Sequence, residues 1–215
     1  MSDKEHKASL TKHYTKKEIQ LVCGSMVNLE ALEQEVVNLQ PLVHSLSNQC
    51  RYIGHTYRFY SVAQHSVLAS LVAPKGLELA CLFHDLAEAF VGDMSAPIKV
   101  DMPSFGELED RVLASLCNIF SELNLSMDLL NCKEVVNIDY RILATEKRDL
   151  MLPSSRIWTF LEKNKIEPYY DMPEIDPLLP VPAYELFMHR LMELTGVEYE
   201  IIHYTQMRPR ALVGR

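Results

Sequence analysis

From Gln64 to Lys99 the chain reads QHSVLASLVAPKGLELACLFHDLAEAFVGDMSAPIK, and its polar residues are of the kinds that do chemistry. They are His65, the pair His84-Asp85, Glu88 one helical turn on, a Gly92-Asp93 turn and a Pro97-Ile98-Lys99 ending, set in otherwise apolar sequence. Asp139 interrupts a second apolar stretch between Ile138 and Ile142. Two imidazoles and two carboxylates make a mixed nitrogen and oxygen donor set. It suits Mn, Fe, Co, Ni or Zn better than Ca or a thiolate-bound ion. Four protein ligands on an ion that prefers six leave positions for water and a substrate oxygen. Asp128, Glu146 and Asp149 compete with Asp139 for the fourth place, but only Asp139 sits between apolar helical neighbours.

Glu88 follows His84 by four residues, so a continuous helix puts both on one side. A carboxylate there can take a proton from an attacking water without being a ligand. Asp93, just past Gly92, could share that work. Arg51, Arg58 and Lys99 are cations in flanking segments and natural clamps for phosphate oxygens. Each has a plainer reading. Arg51 could form an interhelix salt bridge, and Arg58 could stack among Tyr57, Phe59 and Tyr60. His44, His55, His189 and His203 read as structural or surface residues, and Glu146-Lys147-Arg148-Asp149 as a solvated helix face with local ion pairs.

Helices must carry these groups. Val62–Val72 has helical spacing and is stopped by Pro74 and Gly76. Leu77–Phe90 predicts a strongly apolar helix, central in a bundle. Spacings of three and four predict helices from Phe105 to Leu123 and from about Lys133 to Met151, with a last one over Ala183–Leu194 stopped by Gly196. A short helix is expected from near Pro41, and a small hairpin around Cys23-Gly24-Ser25. Cys50–Tyr60 and Gly92–Pro103 read as irregular connections. Residues 153–182 read as a long ordered loop with a short helix near Ile157–Asn164, and VEYEII after Gly196 as an edge strand. The fold class is all-α, a helical bundle with a small N-terminal hairpin.

At 215 residues the chain fits one domain, with its core at about 40–152 and loose ends at 1–15 and 205–215. The formal charge of −8 gives no reason to expect binding to duplex nucleic acid or an anionic membrane. Five scattered cysteines without CxxC spacing fit reduced core thiols rather than a disulfide framework. The polar N-terminus and the lack of a long apolar run lead to the expectation of a soluble cytoplasmic protein, in the host cytoplasm if phage-encoded.

His65, His84-Asp85 and Asp139 match the H…HD…D pattern of the HD-domain metal-dependent phosphohydrolases. HDLAEAFVGDMSAPIK resembles the branch with the pattern HDxxExxxGDxxxPxK, which holds 5′-deoxynucleotidases and phage-type dATP triphosphohydrolases. QCRYIGHTYRFYSVAQHS resembles it too, since that branch carries an Arg-aromatic pair about fifteen residues before the first histidine. The resemblance covers roughly residues 40–150. It implies that His65, His84, Asp85 and Asp139 hold one divalent ion (Co, Mn, Zn, Fe or Ni, with Mg also admitted). It implies further that Glu88 and Asp93 handle the attacking water and the leaving group, that Arg51 and Lys99 hold phosphate, and that Pro97 belongs to the motif's ending. Tyr52 and Ile53 would pack near the base or sugar; relatives often have Trp where Tyr52 stands. The implied reaction is water attack on phosphorus with release of a nucleoside, and the implied assembly a homo-oligomer. The first expectation is dATP hydrolysis to deoxyadenosine and triphosphate, and the alternative a 5′-nucleotidase of deoxynucleoside monophosphates. An alarmone or cyclic-nucleotide hydrolase, or a non-catalytic nucleotide-binding domain, is more distant.

Overall fold

The computed structural model describes residues 17–204, so the expectations for residues 1–15 and 205–215 lie outside the described residues. Two short antiparallel strands come first, β1 (Glu18–Gln20) and β2 (Met26–Asn28), with Ile19 opposite Val27. Everything that follows is helical: α1 (Leu39–Asn48), α2 (Val62–Val72), α3 (Glu78–Phe83), α4 (Glu88–Val91), α5 (Ala96–Lys99) and α6 (Pro103–Ile119), then α7 (Met127–Leu130), α8 (Lys133–Leu150), α9 (Thr159–Asn164) and α10 (Pro180–Thr195). Single 3₁₀ turns sit at Leu32–Gln34, Arg51–Gly54 and Ser121–Leu123.

The centre of the bundle is α2, which packs against α1, α3, α8 and α10. Its sequence is apolar or small on every side, and Val62, Ala63, His65, Ser66, Val67 and Ala69 are all buried. A helix buried all round must start cleanly. The Ser61 Oγ accepts the Gln64 N–H at 3.2 Å, an N-cap contribution of about 1 kcal/mol. Around α2 the core joins Leu42 and Leu46 of α1, Phe83 of α3 and Phe187 and Leu191 of α10. The Phe83 and Phe187 rings meet edge to face at 5.8 Å.

Three expectations change. The predicted helix Leu77–Phe90 is not continuous: it divides into α3 and α4 at His84–Ala87. There the Leu86, Glu88 and Ala89 N–H groups bond three residues back rather than four. The segment VEYEII forms no strand. The only sheet among the described residues is the N-terminal hairpin. Instead the Ile202 N–H donates to the Tyr184 hydroxyl at 3.2 Å, laying the segment along α10. The cysteines are all free, but Cys81 alone is in the core and Cys23 is exposed. Among the described residues no helix is long and apolar enough to cross a membrane.

Candidate metal centre

Three helical elements bring the donor set together. His65 stands on α2, His84 and Asp85 in the tight turn after α3, and Asp139 in the second turn of α8. The His65 Nε2 lies 3.3 Å from the His84 Nε2, 3.4 Å from the Asp85 Oδ2 and 3.2 Å from the Asp139 Oδ1. The His84 Nε2 is 3.3 Å from the Asp85 Oδ2 and 3.8 Å from the Asp139 Oδ1. Neighbouring ligands about 2.1 Å from one ion stand about 3.0–3.4 Å apart; all of these separations but the 3.8 Å one fall in or at the edge of that range. His65, His84 and Asp139 form a trio whose ligand atoms all lie within 4.8 Å of one another.

The far side of each imidazole is equally informative. The His84 Nδ1 is 2.8 Å from the Cys81 carbonyl, and the His65 Nδ1 is 2.6 Å from the Glu146 Oε1. A carbonyl and a carboxylate only accept, so each ring keeps a proton on Nδ1 and turns Nε2 to the centre. Burial alone would lower His65, as would the charge of Arg51. The Glu146 charge and hydrogen bonds to Asp139 and Glu146 outweigh both and raise it to about 9. Burial would raise Asp139, but the two imidazoles hold it well below the usual carboxylate range. The cluster favours positive charge at its centre, which is what a cation site requires.

The tight turn rearranges the acids. With three residues per turn, Asp85 and Glu88 come onto one side and His84 does not share it. Glu88 is buried, and its Oε2 has no hydrogen-bond partner among the described residues. Burial raises its pKa well above the ordinary value, with the Asp85 and Asp93 charges adding to the effect. Burial also raises Asp93, against the opposing charge of Arg51. Gln49 holds the pair in place. Its amide donates to the Glu88 carbonyl at 2.9 Å, and its Oε1 accepts the Asp93 N–H at 3.0 Å. Between them Gly92 takes φ 84°, ψ 152°, a conformation that needs glycine.

The cations separate into two groups. Arg51 is nearly buried, with Nη1 3.4 Å from the Asp85 Oδ2 and Nε 3.4 Å from the Glu146 Oε2. Lys99, on α5, pairs with Glu109 of α6 and feels the charges of Glu88 and Asp85. Pro97 is exposed at the second position of α5 and starts the helix that carries Lys99. Arg58 corrects the expectation for it. Its guanidinium bonds the Asp176 Oδ1 at 2.6 Å and the Pro177 carbonyl at 3.0 Å, in a half-exposed position. It pins the 173–178 loop and makes no contact with the cluster among the described residues.

Arg51-Tyr52-Ile53-Gly54 is a strained turn. Tyr52 (φ 57°, ψ 29°), Ile53 (φ 55°, ψ 29°) and Gly54 (φ 78°) are consecutively left-handed. Such a conformation costs a β-branched or aromatic residue roughly 1–2 kcal/mol. The Tyr52 hydroxyl bonds the Glu146 Oε2, and its ring meets Trp158, the residue before α9, at 5.9 Å and 52°. Ile53 is more than half exposed. So the aromatic surface beside Arg51 is shared between Tyr52 and a tryptophan far along the chain.

The expected solvated face at 146–149 is a second correction. Glu146 is fully buried, accepts from His65, Tyr60 at 2.8 Å and Tyr52, and pairs in charge with Arg51. The Asp149 side chain is 5% exposed and accepts the Ile175 N–H at 3.0 Å. Glu146 follows Asp139 by seven residues and Ile142 by four, a spacing that places all three on one helix face. That spacing was the available signal; Gln49, Glu109 and Trp158 carried none. A separate groove of about 560 Å³ runs between α2 and the 169–176 loop, lined by Gln64, Leu68, Arg141 and Tyr169 among others. It includes none of the four cluster residues.

A sequence profile of the HD domain matches residues 38–135. The chain is 32% identical over 177 residues to the uncharacterized protein YfdR of Escherichia coli (strain K12), an alignment spanning 82% of this chain and 95% of that protein. It is 33% identical over 90 residues to the uncharacterized protein RCAP_rcc00048 of Rhodobacter capsulatus, covering 37% of this chain and 46% of that one.

Proposed function

Because the chain belongs to the HD-domain superfamily of metal-dependent phosphohydrolases, we propose that it hydrolyses the 5′-phosphate ester of 2′-deoxynucleoside monophosphates. The observation that carries this reading is the convergence of His65, His84, Asp85 and Asp139 through two Nε2 atoms and two carboxylate oxygens. A divalent ion held there supplies Lewis-acid polarisation of a phosphoryl oxygen and makes water acidic enough to attack near neutral pH. The nitrogen and oxygen donors favour Mn, Fe, Co, Ni or Zn.

The side chains do the rest. Arg51 and Lys99 offset charge on the phosphoryl oxygens. Glu88, whose pKa burial raises well above the ordinary carboxylate value, donates a proton to the departing 5′-oxygen. Asp93 takes a proton from the water as its oxygen bonds phosphorus, and solvent returns that proton to Glu88. The products are a deoxynucleoside and inorganic phosphate. Tyr52 and Trp158 offer an aromatic surface for a base beside Arg51. The preference for a 2′-deoxy sugar rests on the motif ending Gly92-Asp93 and Pro97-Lys99.

Charge is what favours the monophosphate reading over the triphosphate expected first from the sequence. Arg51 already faces Asp85 and Glu146, Lys99 faces Glu109, and Arg58 is committed elsewhere. Apart from Glu88, which carries the proton to be donated, five carboxylates stand around the centre: Asp85, Asp93, Glu109, Asp139 and Glu146. A triphosphate would bring about four negative charges, and beyond Arg51 and Lys99 a further cation nearby is Lys147, 5.8 Å from the Trp158 ring. Purified protein with Mn²⁺ or Co²⁺ is assayed on dAMP, dGMP, dTMP, their ribose counterparts and dATP. Phosphate release from deoxynucleoside monophosphates is expected. Triphosphate release from dATP would restore the other reading, and turnover of none would overturn both.

A further inference from the structure

We propose that Glu146 is a positioning residue: one carboxylate that sets the ligating form of His65 with one oxygen and locks the Arg51-Tyr52 turn with the other. The inference rests on the metal-centre reading above, but not on the choice of substrate.

The two oxygens divide cleanly. Oε1 receives the His65 Nδ1–H at 2.6 Å and the Tyr60 hydroxyl at 2.8 Å. Oε2 receives the Tyr52 hydroxyl and faces the Arg51 Nε at 3.4 Å. The carboxylate has no solvent exposure, so an ionised form here depends on the three hydrogen bonds from His65, Tyr60 and Tyr52 and on the Arg51 charge. A neutral imidazole has one N–H, and holding it on Nδ1 leaves the Nε2 lone pair for the cation. Without Glu146, nothing on that side of His65 would favour this tautomer or the ring orientation.

The other oxygen acts on the backbone. Tyr52 and Ile53 are left-handed in succession, a state that persists only where surrounding bonds enforce it. Two of those bonds are local: the Arg51 N–H to the Tyr60 carbonyl at 2.9 Å and the His55 N–H to the Tyr52 carbonyl at 3.0 Å. The long-range ones end on Glu146, apart from Arg51 to Asp85. The metal histidine and the strained turn are therefore fastened to the same group, and purely structural packing would not require that division.

Trp158 is the chain's only tryptophan and touches Tyr52, so its emission reports the turn without substrate. The metal-free protein and its variants are titrated with Mn²⁺ by calorimetry, and Trp158 emission is read in parallel. Glu146→Gln is expected to weaken Mn²⁺ binding roughly 10–100-fold and to shift the emission. Tyr52→Phe keeps the ring and the Oε1 bonds. It is expected to shift the emission while leaving Mn²⁺ affinity within about threefold, as oxygens with separate duties require. If Glu146→Gln does not fold, Glu146→Asp keeps the charge, lacks the reach to both partners and takes its place. Wild-type Mn²⁺ affinity in either folded Glu146 variant overturns the inference, as does an equal loss of affinity in Tyr52→Phe. Because no outcome depends on turnover, an inactive protein would sink the substrate reading and leave this one decided separately.

Discussion

Mn²⁺ should raise the melting temperature of this protein, and Asp139→Asn should nearly abolish the rise. In the folded chain, the ligand atoms of His65, His84 and Asp139 lie 3.2–3.8 Å from one another, close enough to share one ion, and Asp85 approaches both imidazoles. The unfolded chain has no such cluster. An ion at about 100 times its Kd then adds about 2.7 kcal/mol to the folded state. For a chain of this size each kcal/mol is worth roughly 2–4 °C, so a rise of about 5–10 °C is expected. Asn in place of Asp139 keeps the volume but loses the anionic oxygen 3.2 Å from the His65 Nε2. If affinity falls about 100-fold, the same Mn²⁺ concentration equals the new Kd and adds only about 0.4 kcal/mol, or about 1 °C. Mn²⁺ is preferred to Zn²⁺ because five free cysteines would bind zinc in the unfolded state. The assay is scanning fluorimetry of chelator-treated protein, with calorimetry giving Kd. A full rise in Asp139→Asn would refute the ligand assignment, and no rise in the wild type with Mn²⁺ or Co²⁺ would refute the site.

Glu88→Gln is expected to lower kcat by roughly 10²–10⁴ while Mn²⁺ affinity stays within about threefold; a variant that keeps near-normal turnover removes Glu88 from proton transfer. In chelator, His65 is raised to about 9 from 6.5, so its contribution is present below about pH 6.5 and is lost as pH rises through 9. The loss amounts to roughly 3 kcal/mol, read by urea denaturation at pH 6.5 and 9.5, and a flat profile would contradict the buried His65–Glu146 pair. Trp158→Ala is expected to raise KM for a deoxynucleoside monophosphate roughly 5–30-fold with little change in kcat, from about 1–2 kcal/mol of lost stacking. An unchanged KM would place the base elsewhere.

The groups that converge were legible because helical spacing and donor chemistry point the same way. His65, His84-Asp85 and Asp139 interrupt apolar helices, and a polar ligand in a core position is a conflict that only a site resolves. Three features escaped. Glu146 lay in a run of charges, where composition suggested solvent, although its spacing from Asp139 and Ile142 pointed inward. Arg58 was placed by nearness in sequence, whereas Asp176, more than a hundred residues away, decided its position. The edge strand failed because a strand needs a partner, and pattern alone does not supply one. Trp158 was invisible for a similar reason. The sequence shows Tyr52 where relatives often have tryptophan, and only the tertiary fold returns an indole to that side of the turn.

The change of winding at His84–Ala87 has a consequence for how this site can vary. Those four residues act as a phase shifter between α3 and α4, setting the angular offset between the ligands and the proton-handling carboxyl. Deleting or inserting one residue there would swing Glu88 by about 100° about the helix axis, away from its acidic neighbours and out of the buried niche that raises its pKa. Exchange of one apolar side chain for another at Leu86 or Ala87 alters packing but not phase. Outside the ligands His84 and Asp85, segment length, more than side-chain identity, is what this turn cannot trade.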